Sequence, residues 1–250
     1  MRVAALYDVH GNLPALEAVL AEVRDAAVDE IVVGGDVLPG PFARESLERL
    51  ASLDVPVRYL HGNGEREVLA VMRGLEPTTV PERFRDVIRW TARQLSQGDE
   101  RFLSTWPPTL RVPIPPLGDV LFCHATPRND IEVFTRSTPE AAVLPAFAGL
   151  PPDVALAVCG HTHMQFDRTI GRIRVVNAGS VGMPFGSPGA YWLLLGPGVE
   201  LRRTEYDLAA AAGRLSGTGY PNAAEFAAKS VVAPPSEDAM IAAFARAELK

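Results

Sequence analysis

The sequence predicts an α/β fold: a four-layer αββα sandwich, in which two mixed β-sheets pack face to face and helices cover both outer surfaces. The first half of the chain alternates short apolar runs with segments of helical periodicity, which is typical of parallel strands joined by helices. The second half contains apolar runs separated by glycine turns, which is typical of hairpins. No stretch resembles an interdomain linker, so we expect one domain over residues 1–250, a length that can bury a substantial core.

The first part of the chain predicts parallel strands. Residues 2–7 form a short apolar run that stops at Asp8, and residues 13–24 follow with helical periodicity. The pattern continues with a strand, a helix and a strand at residues 31–33, 44–51 and 57–60. This β-α-β-α-β order predicts right-handed crossovers and a sheet whose ligands collect at the carboxyl ends of the strands.

The remaining segments complete the sheets and their helical cover. Residues 65–106 predict a mostly helical insertion, and the chain from residue 207 onward predicts C-terminal helices. Further strands are predicted at residues 120–123 and 154–159, and hairpins at residues 165–176 and 190–206. We interpret the proline-rich stretches as loops; they are residues 107–108, 113–116, 151–152 and 234–235.

Charge and composition exclude some classes of protein. The net charge of −6 argues against a nucleic-acid scaffold, because such binding needs a dense basic surface. No apolar run is long enough to span a bilayer, and the N-terminus runs directly into a strand without the regions of a signal peptide. We therefore expect a cytoplasmic protein without membrane contact. In that setting Cys123 and Cys159 are interpreted as buried apolar residues and not as a disulfide.

Residues that can bind metal follow the predicted strands at widely separated places. Four short motifs and one further histidine are involved: Asp8-Val9-His10-Gly11-Asn12, Gly35-Asp36, Gly62-Asn63, His124 and Gly160-His161-Thr162-His163. A single histidine at a strand end is more often a buried, hydrogen-bonded residue than a ligand. Several such histidines beside carboxylates predict instead a site that the fold gathers from many strand ends. Nitrogen and oxygen donors without a thiolate suit manganese, iron, zinc, cobalt or nickel better than calcium or magnesium.

In this order, the motifs resemble those of the calcineurin-like metallophosphoesterase superfamily, and in particular its small bacterial and archaeal phosphodiesterase branch. The similarity spans about residues 1–206. It implies that a hydroxide shared by two divalent metal ions attacks phosphorus in line, while the ions neutralise the developing charge. Manganese is the first expectation for these ions, with iron, zinc, cobalt and nickel as alternatives.

The resemblance assigns seven residues of this sequence as metal ligands. Asp8, His10 and His163 would bind the first ion, and Asn63, His124 and His161 the second. Asp36 would bridge the two ions.

Two further residues are predicted to contact the substrate. Asn12 is expected to contact the phosphate or to brace the metal ligands. Arg128 is expected to hold a phosphate oxygen, although a loop arginine is often merely exposed.

One position departs from the family pattern. Many members carry a histidine directly after the motif asparagine, where it protonates the leaving oxygen, whereas this chain has Gly64. Members of the small phosphodiesterase branch often lack this histidine too. Loss of a general acid typically costs about 10²- to 10⁴-fold in rate with a poor leaving group. His61 could compensate or could be a buried structural residue, so no catalytic acid is assigned.

Three functions remain open from the sequence. The first is a metal-dependent phosphodiesterase that hydrolyses a small phosphodiester, a nucleotide-derived one included. The second is a phosphomonoesterase or protein phosphatase, which Gly64 disfavours. The third is a non-catalytic, metal-binding scaffold for protein contacts, which the retention of all seven ligands disfavours. The oligomeric state is also open, a homo-oligomer included.

Overall fold

The computed structural model of the protein describes residues 1–77, 80–247 and 249. Within them the strands are β1 (Val3–Leu6), β2 (Glu30–Val33), β3 (Val57–Tyr59), β4 (Thr109–Ile114), β5 (Gly118–Cys123), β6 (Val154–Cys159), β7 (Phe166–Ile170), β8 (Ile173–Asn177), β9 (Ala190–Leu195) and β10 (Val199–Thr204). The α-helices are α1 (Leu13–Asp25), α2 (Ala43–Ala51), α3 (Asn63–Met72), α4 (Glu82–Gln94), α5 (Gln97–Leu103), α6 (Glu140–Phe147), α7 (Leu208–Ser216), α8 (Ala223–Phe226) and α9 (Glu237–Phe244). Helix α8 continues directly into a π-helical segment, Ala227–Val232. The predicted helical regions also contain residues 78, 79, 248 and 250, which lie outside the described residues.

The strands form two five-stranded mixed sheets. The first has the order β10-β9-β1-β2-β3, with β1, β2 and β3 parallel and β9 and β10 antiparallel. The second has the order β4-β5-β6-β8-β7, with β5, β6 and β8 parallel and the two edge strands antiparallel. Five of these six parallel strands, namely β1, β2, β3, β5 and β6, are followed by the metal-binding motifs.

The sheets pack face to face because alternate residues of their central strands point to opposite sides. Val3 and Ala5 of β1 contact the other sheet through residues such as Phe122. Ala4 and Leu6 point the other way and pack against helices α1 and α2. Both faces of β1 are buried, so its sequence is a continuous apolar run and does not alternate with polar residues. Helix α6 covers the outer face of the second sheet, and the predicted four-layer sandwich is confirmed.

Two elements differ from the sequence-based expectation. Residues 113–116 were expected to be a loop, but Pro113 lies in β4, where it pairs opposite Asp119. Strand β4 is at the edge of its sheet, and an edge strand tolerates a proline when the missing N–H would have faced away from the ladder. Helix α6 was not expected, because Pro145 lies inside it. Val143 and Phe147 bury its apolar face against the second sheet, and this packing outweighs the weak local propensity.

Among the helices of the described residues, none combines the length and the apolar character that a bilayer-spanning helix requires.

Candidate metal centre

The loops that follow five strands meet at one edge of the sandwich. Asp8 and His10 follow β1, Asp36 follows β2, and Asn63 begins α3 shortly after β3. In the second sheet, His124 follows β5, while His161 and His163 follow β6. Backbone hydrogen bonds join neighbouring loops, from Asp8 N to Gly35 O at 3.0 Å and from Gly160 N to His124 O at 2.8 Å. The topology therefore brings the carboxyl ends of both sets of parallel strands to one place.

Six of the seven predicted ligands form two adjacent clusters. Asp8, His10 and His163 make one, and Asp36, His124 and His161 make the other, with the possible ligand atoms of each cluster within 4.8 Å of one another. Asp36 lies where the two clusters meet. Its Oδ1 lies 3.5 Å from His124 Nε2 and its Oδ2 lies 3.7 Å from His10 Nε2. The seventh predicted ligand, Asn63, lines the same cavity as His10, Asp36 and His161.

The donor atoms at this place lack protein partners although they are buried. Asp8 Oδ1, Asn63 Oδ1 and His124 Nε2 are inaccessible to solvent and accept or donate no hydrogen bond among the described residues. A buried polar group without a partner normally costs about 1–3 kcal/mol, so such atoms need an explanation. A pair of bound cations would satisfy all three. The residues present thus fit a binuclear metal site.

Two histidines are held in the orientation that metal binding requires. His124 Nδ1 lies 2.9 Å from Gly34 O, and His163 Nδ1 lies 2.7 Å from Met183 O. A carbonyl oxygen only accepts, so each Nδ1 carries the proton, and in the neutral ring Nε2 keeps a free lone pair directed at the cluster.

The backbone of the site is unusually strained. Of the seven non-glycine residues with positive φ in the described part of the chain, five are predicted metal ligands. They are Asp8, His10, Asp36, His161 and His163, with φ between 45° and 66°. Left-handed backbone costs a non-glycine residue about 1–3 kcal/mol and collects where a functional site demands it. The concentration of this strain at the clusters supports a functional role for them.

The buried carboxylates make the site strongly favourable for positive charge. Burial opposes ionisation, but the pKa of Asp36 is lowered because His124 and His10 stabilise its charged form. Burial likewise lowers the pKa of His124, but Asp36 and Asp8 outweigh it and raise that pKa to about 10. Burial and the charge of His124 lower the pKa of His161 to about 4. Without metal, the protonated imidazole of His124 balances part of the charge of Asp8 and Asp36. A divalent cation would supply that positive charge instead.

Glu65 holds two of the site's loops together, and the sequence analysis did not single it out. Its carboxylate accepts the N–H groups of Asp36 at 2.8 Å, Gly62 at 2.8 Å and Leu38 at 3.0 Å. It is fully buried, and burial together with the charge of Asp36 raises its pKa to about 7, despite these three N–H groups. The sequence feature that could have indicated this role is an acidic residue in the first turn of α3, three positions after Gly62.

We expect Glu65→Gln to weaken metal binding by about 10- to 100-fold, the usual cost of changing a group that positions metal ligands. A glutamine amide would present its N–H groups either to Leu38 N–H or to the N–H groups of Asp36 and Gly62, so the loop that carries Asp36 would lose part of its support. Calorimetric titration of the metal-free protein with Mn²⁺ measures the effect. The matched control is Glu82→Gln on the exposed surface of α4, which should bind as the unchanged protein does. Equal affinity of the two variants would show that Glu65 does not position the ligands.

Glycines surround the ligands because backbone segments approach too closely for side chains. A Cβ atom at Gly62 would lie 2.2 Å from Asp36 Oδ1, and one at Gly160 would lie 2.5 Å from Asp8 Oδ2. Gly64 is equally confined. A Cβ atom there would lie 2.0 Å from the carbonyl oxygen of Leu38, and the Gly64 N–H donates to Asp36 Oδ1 at 2.7 Å. The loop after β2 therefore occupies the space that a histidine side chain at position 64 would need.

Asn12 and Arg128, the two residues predicted to contact the substrate, do not line the cavity at the metal clusters. Asn12 is fully buried; it caps α1 by accepting from Ala15 N at 3.3 Å and donates to Gly182 O at 2.9 Å. Arg128 pairs with Glu132 and does not line the cavity. Their predicted contact with substrate stays a prediction that this geometry does not support. His61 lies 3.7 Å from Asp130 and also does not line the cavity.

Comparisons with known proteins agree with the fold and with the family that the motifs resemble. The family model described as the calcineurin-like phosphoesterase superfamily domain matches residues 1–195. A metallophosphoesterase structure from Sphaerobacter thermophilus has a TM-score of 0.73 at 25% identity and covers 92% of this chain and 100% of its own. A hypothetical protein from Pyrococcus horikoshii shares the fold, with a TM-score of 0.79 at 19% identity over 94% of this chain and 99% of that one.

One curated relative is similar over a shorter region. It is the symmetrical bis(5′-nucleosyl)-tetraphosphatase of Klebsiella pneumoniae, 33% identical over 105 residues. This match covers 37% of the chain and 37% of the relative, so it spans little more than a third of either protein.

Proposed function

The chain belongs to the calcineurin-like phosphoesterase superfamily, and we propose that it is a binuclear metal-dependent phosphodiesterase that hydrolyses a small, nucleotide-derived phosphoester. Members of this superfamily use divalent metal ions, and the chain has two candidate clusters of ligands for them. The observation that carries the proposal is that three buried donor atoms without a hydrogen-bond partner, on Asp8, Asn63 and His124, lie where five predicted ligands have left-handed backbone. A purely structural histidine cluster would have satisfied these atoms within the protein.

We assign the residues as follows. Asp8, His10 and His163 would hold one ion, and His124, His161 and Asn63 would hold the other. Asp36 would be shared by the two ions, because its two oxygens face the two clusters. Manganese is the first choice, with iron, zinc, cobalt and nickel as alternatives, since the donors are nitrogen and oxygen without thiolate.

The bound ions would act as Lewis acids toward the phosphoryl oxygens. The chain contributes the rest of the mechanism through its fixed geometry. Gly34 and Met183 hold the imidazoles of His124 and His163 in place through their carbonyl oxygens, and His161 N–H donates to Asp8 Oδ2 at 2.8 Å to orient that carboxylate. Such prior orientation lowers the reorganisation that the reaction requires.

Two observations favour a diester derived from a nucleotide. Gly64 leaves no imidazole beside Asn63, which weakens the assignment as a phosphomonoesterase or protein phosphatase. The name of the curated relative describes an enzyme that acts on a dinucleoside tetraphosphate, which supports a nucleotide-derived ester.

The scaffold alternative has less support. A docking surface on the C-terminal helices would require exposed apolar side chains. Between residues 207 and 247, the one large apolar side chain that is well exposed is Val232, at 48%. The apolar residues Tyr220 and Phe226 pack inward, in a cluster that includes Trp90 of α4.

The decisive experiment removes all metal and restores one ion at a time. Chelated protein should be inactive, and Mn²⁺ should restore turnover of bis(p-nitrophenyl) phosphate better than that of p-nitrophenyl phosphate. Co²⁺, Ni²⁺, Zn²⁺, Fe²⁺ and Mg²⁺ are compared in parallel, and 2′,3′-cyclic nucleotides serve as a further diester. Turnover with no ion would contradict the enzymatic proposal, and preference for the monoester would contradict the diesterase.

A further inference from the structure

The candidate metal clusters open into a cavity that is far larger than two cations require. Its volume is about 660 Å³, within the range of small-molecule sites. His10, Asp36, Asn63, His161 and His163 line one end. The other walls come from α4 and from residues 220–230 of the C-terminal region. The proposed phosphoester site is thus continuous with a second compartment built by segments more than a hundred residues apart.

The far walls of this cavity are apolar and aromatic. The apolar lining includes Phe84, Val87, Ile88, Met183, Tyr220 and Phe226. Phe84 is 46% exposed although it lies within the cavity wall. A large apolar side chain that remains accessible beside polar ligands is typical of a surface that binds an organic group.

Among the described residues that line the cavity, Lys229 and Arg83 differ in their ion pairing. Lys229 is paired with Glu225 at 2.6 Å. Arg83 has no acidic partner in the part of the chain that the structure describes, and its guanidinium lies 4.8 Å from the centre of the Phe84 ring. A planar guanidinium beside an exposed aromatic ring is a combination that stacks well on aromatic ligands, nucleobases included.

The C-terminal wall is held in a defined position. The Tyr220 ring packs edge-on against Trp90 of α4 at 5.3 Å and against Phe226 at 5.8 Å. Asn222, which lines the cavity, has a φ of 60° and is, with Ala27, one of two left-handed non-glycine residues in the described part of the chain that are not predicted ligands. The wall then continues into π-helical turns, a rare conformation that occurs frequently at functional sites.

We propose that the cavity binds the planar aromatic ring of the ester's organic group, a nucleobase or an aryl ring, against Phe84 and Phe226. This rests on the proposed function, since it places the phosphate at the predicted metal ligands. The aromatic side chains and the free guanidinium of Arg83 favour a ring over an alkyl chain. The predicted metal ligands line the end of the cavity that binds the phosphate. The aromatic residues at the opposite end determine which organic group the cavity accepts.

Binding of compounds that cannot be hydrolysed tests this proposal separately from catalysis. Phenylphosphonate, hexylphosphonate and methylphosphonate share one anionic head, and the first two have equal numbers of carbon atoms. We expect calorimetry on the Mn²⁺-loaded protein to give about tenfold tighter binding for phenylphosphonate than for the other two, a typical gain from one stacked ring. Tighter binding of adenosine 5′-monophosphate than of ribose 5-phosphate would identify a nucleobase; its absence, with the phenyl preference kept, would identify an aryl ring.

Phe84→Ala should abolish the phenyl preference and leave methylphosphonate binding unchanged. Leu75→Ala is the matched control, because Leu75 is 62% exposed and does not line the cavity. Equal binding of phenyl and methyl compounds, equal binding of phenyl and hexyl compounds, or no binding at all would overturn the proposal. A retained phenyl preference in a protein that hydrolyses no ester would contradict the proposed function alone, whereas turnover without the preference would contradict the cavity assignment alone.

Discussion

Asp36→Asn is expected to lower turnover of an activated phosphodiester by about 10²- to 10³-fold. Asp36 is the carboxylate that faces both clusters, with Oδ1 3.5 Å from His124 Nε2 and Oδ2 3.7 Å from His10 Nε2. An amide has the same shape but lacks the charge that two cations require. Removing one preorganised electrostatic group from an active site typically costs about 10²- to 10³-fold in kcat. Steady-state kinetics at saturating Mn²⁺, with metal content measured on the same samples, tests this.

The folded protein without metal should tolerate the same change. The amide oxygen can still accept the Gly64 N–H, which donates to Asp36 Oδ1 at 2.7 Å. Two electrostatic effects then oppose each other, because the variant loses the attraction to His124 but no longer buries an anion. The melting temperature of the metal-free protein should therefore change little. Asp86→Asn, the same substitution at a side chain 80% exposed on α4, is the control and should keep full activity. Unchanged turnover in Asp36→Asn would mean that Asp36 is not shared by two ions.

The sequence was sufficient for the sandwich and for the placement of the metal-binding motifs, because both depend on local signals. Strands β1, β5 and β6 contain apolar runs, and Asp8, His124 and His161 follow within two residues of their ends. The edge strand β4 was missed because Pro113 is a strong loop signal that only its place in the sheet overrides. Helix α6 was missed for the corresponding reason.

The rest of the site depends on contacts between distant segments. The cavity wall joins α4 to residues 220–230, and nothing local in either segment indicates the other. The network of Glu65 joins the loops after β2 and β3, so its role needs the three-dimensional arrangement of both. Arg128 is different, since Glu132 lies four residues further along and that pairing was visible in the sequence.

Gly64→His is expected to impair the protein, although it restores the residue that many members of the superfamily carry. A Cβ atom at position 64 would lie 2.0 Å from the Leu38 carbonyl oxygen and 2.9 Å from Asp36 Oδ1. Backbone must therefore move before any side chain fits, and overpacking of this kind costs about 1–3 kcal/mol. We expect Gly64→His and Gly64→Ala to lower the melting temperature by about 2–4 °C for each kcal/mol, and to lower metal affinity because Gly64 N–H holds Asp36.

Gly213→Ala is the matched control for these variants. It lies inside α7, where an added Cβ atom has no neighbour within 4 Å, so the substitution should raise stability by up to about 1 kcal/mol. A Gly64→His protein that melts normally and hydrolyses poor esters faster would show that the loop after β2 yields and that the chain simply lacks its general acid. The expected loss would show instead that the loop after β2 has closed this position.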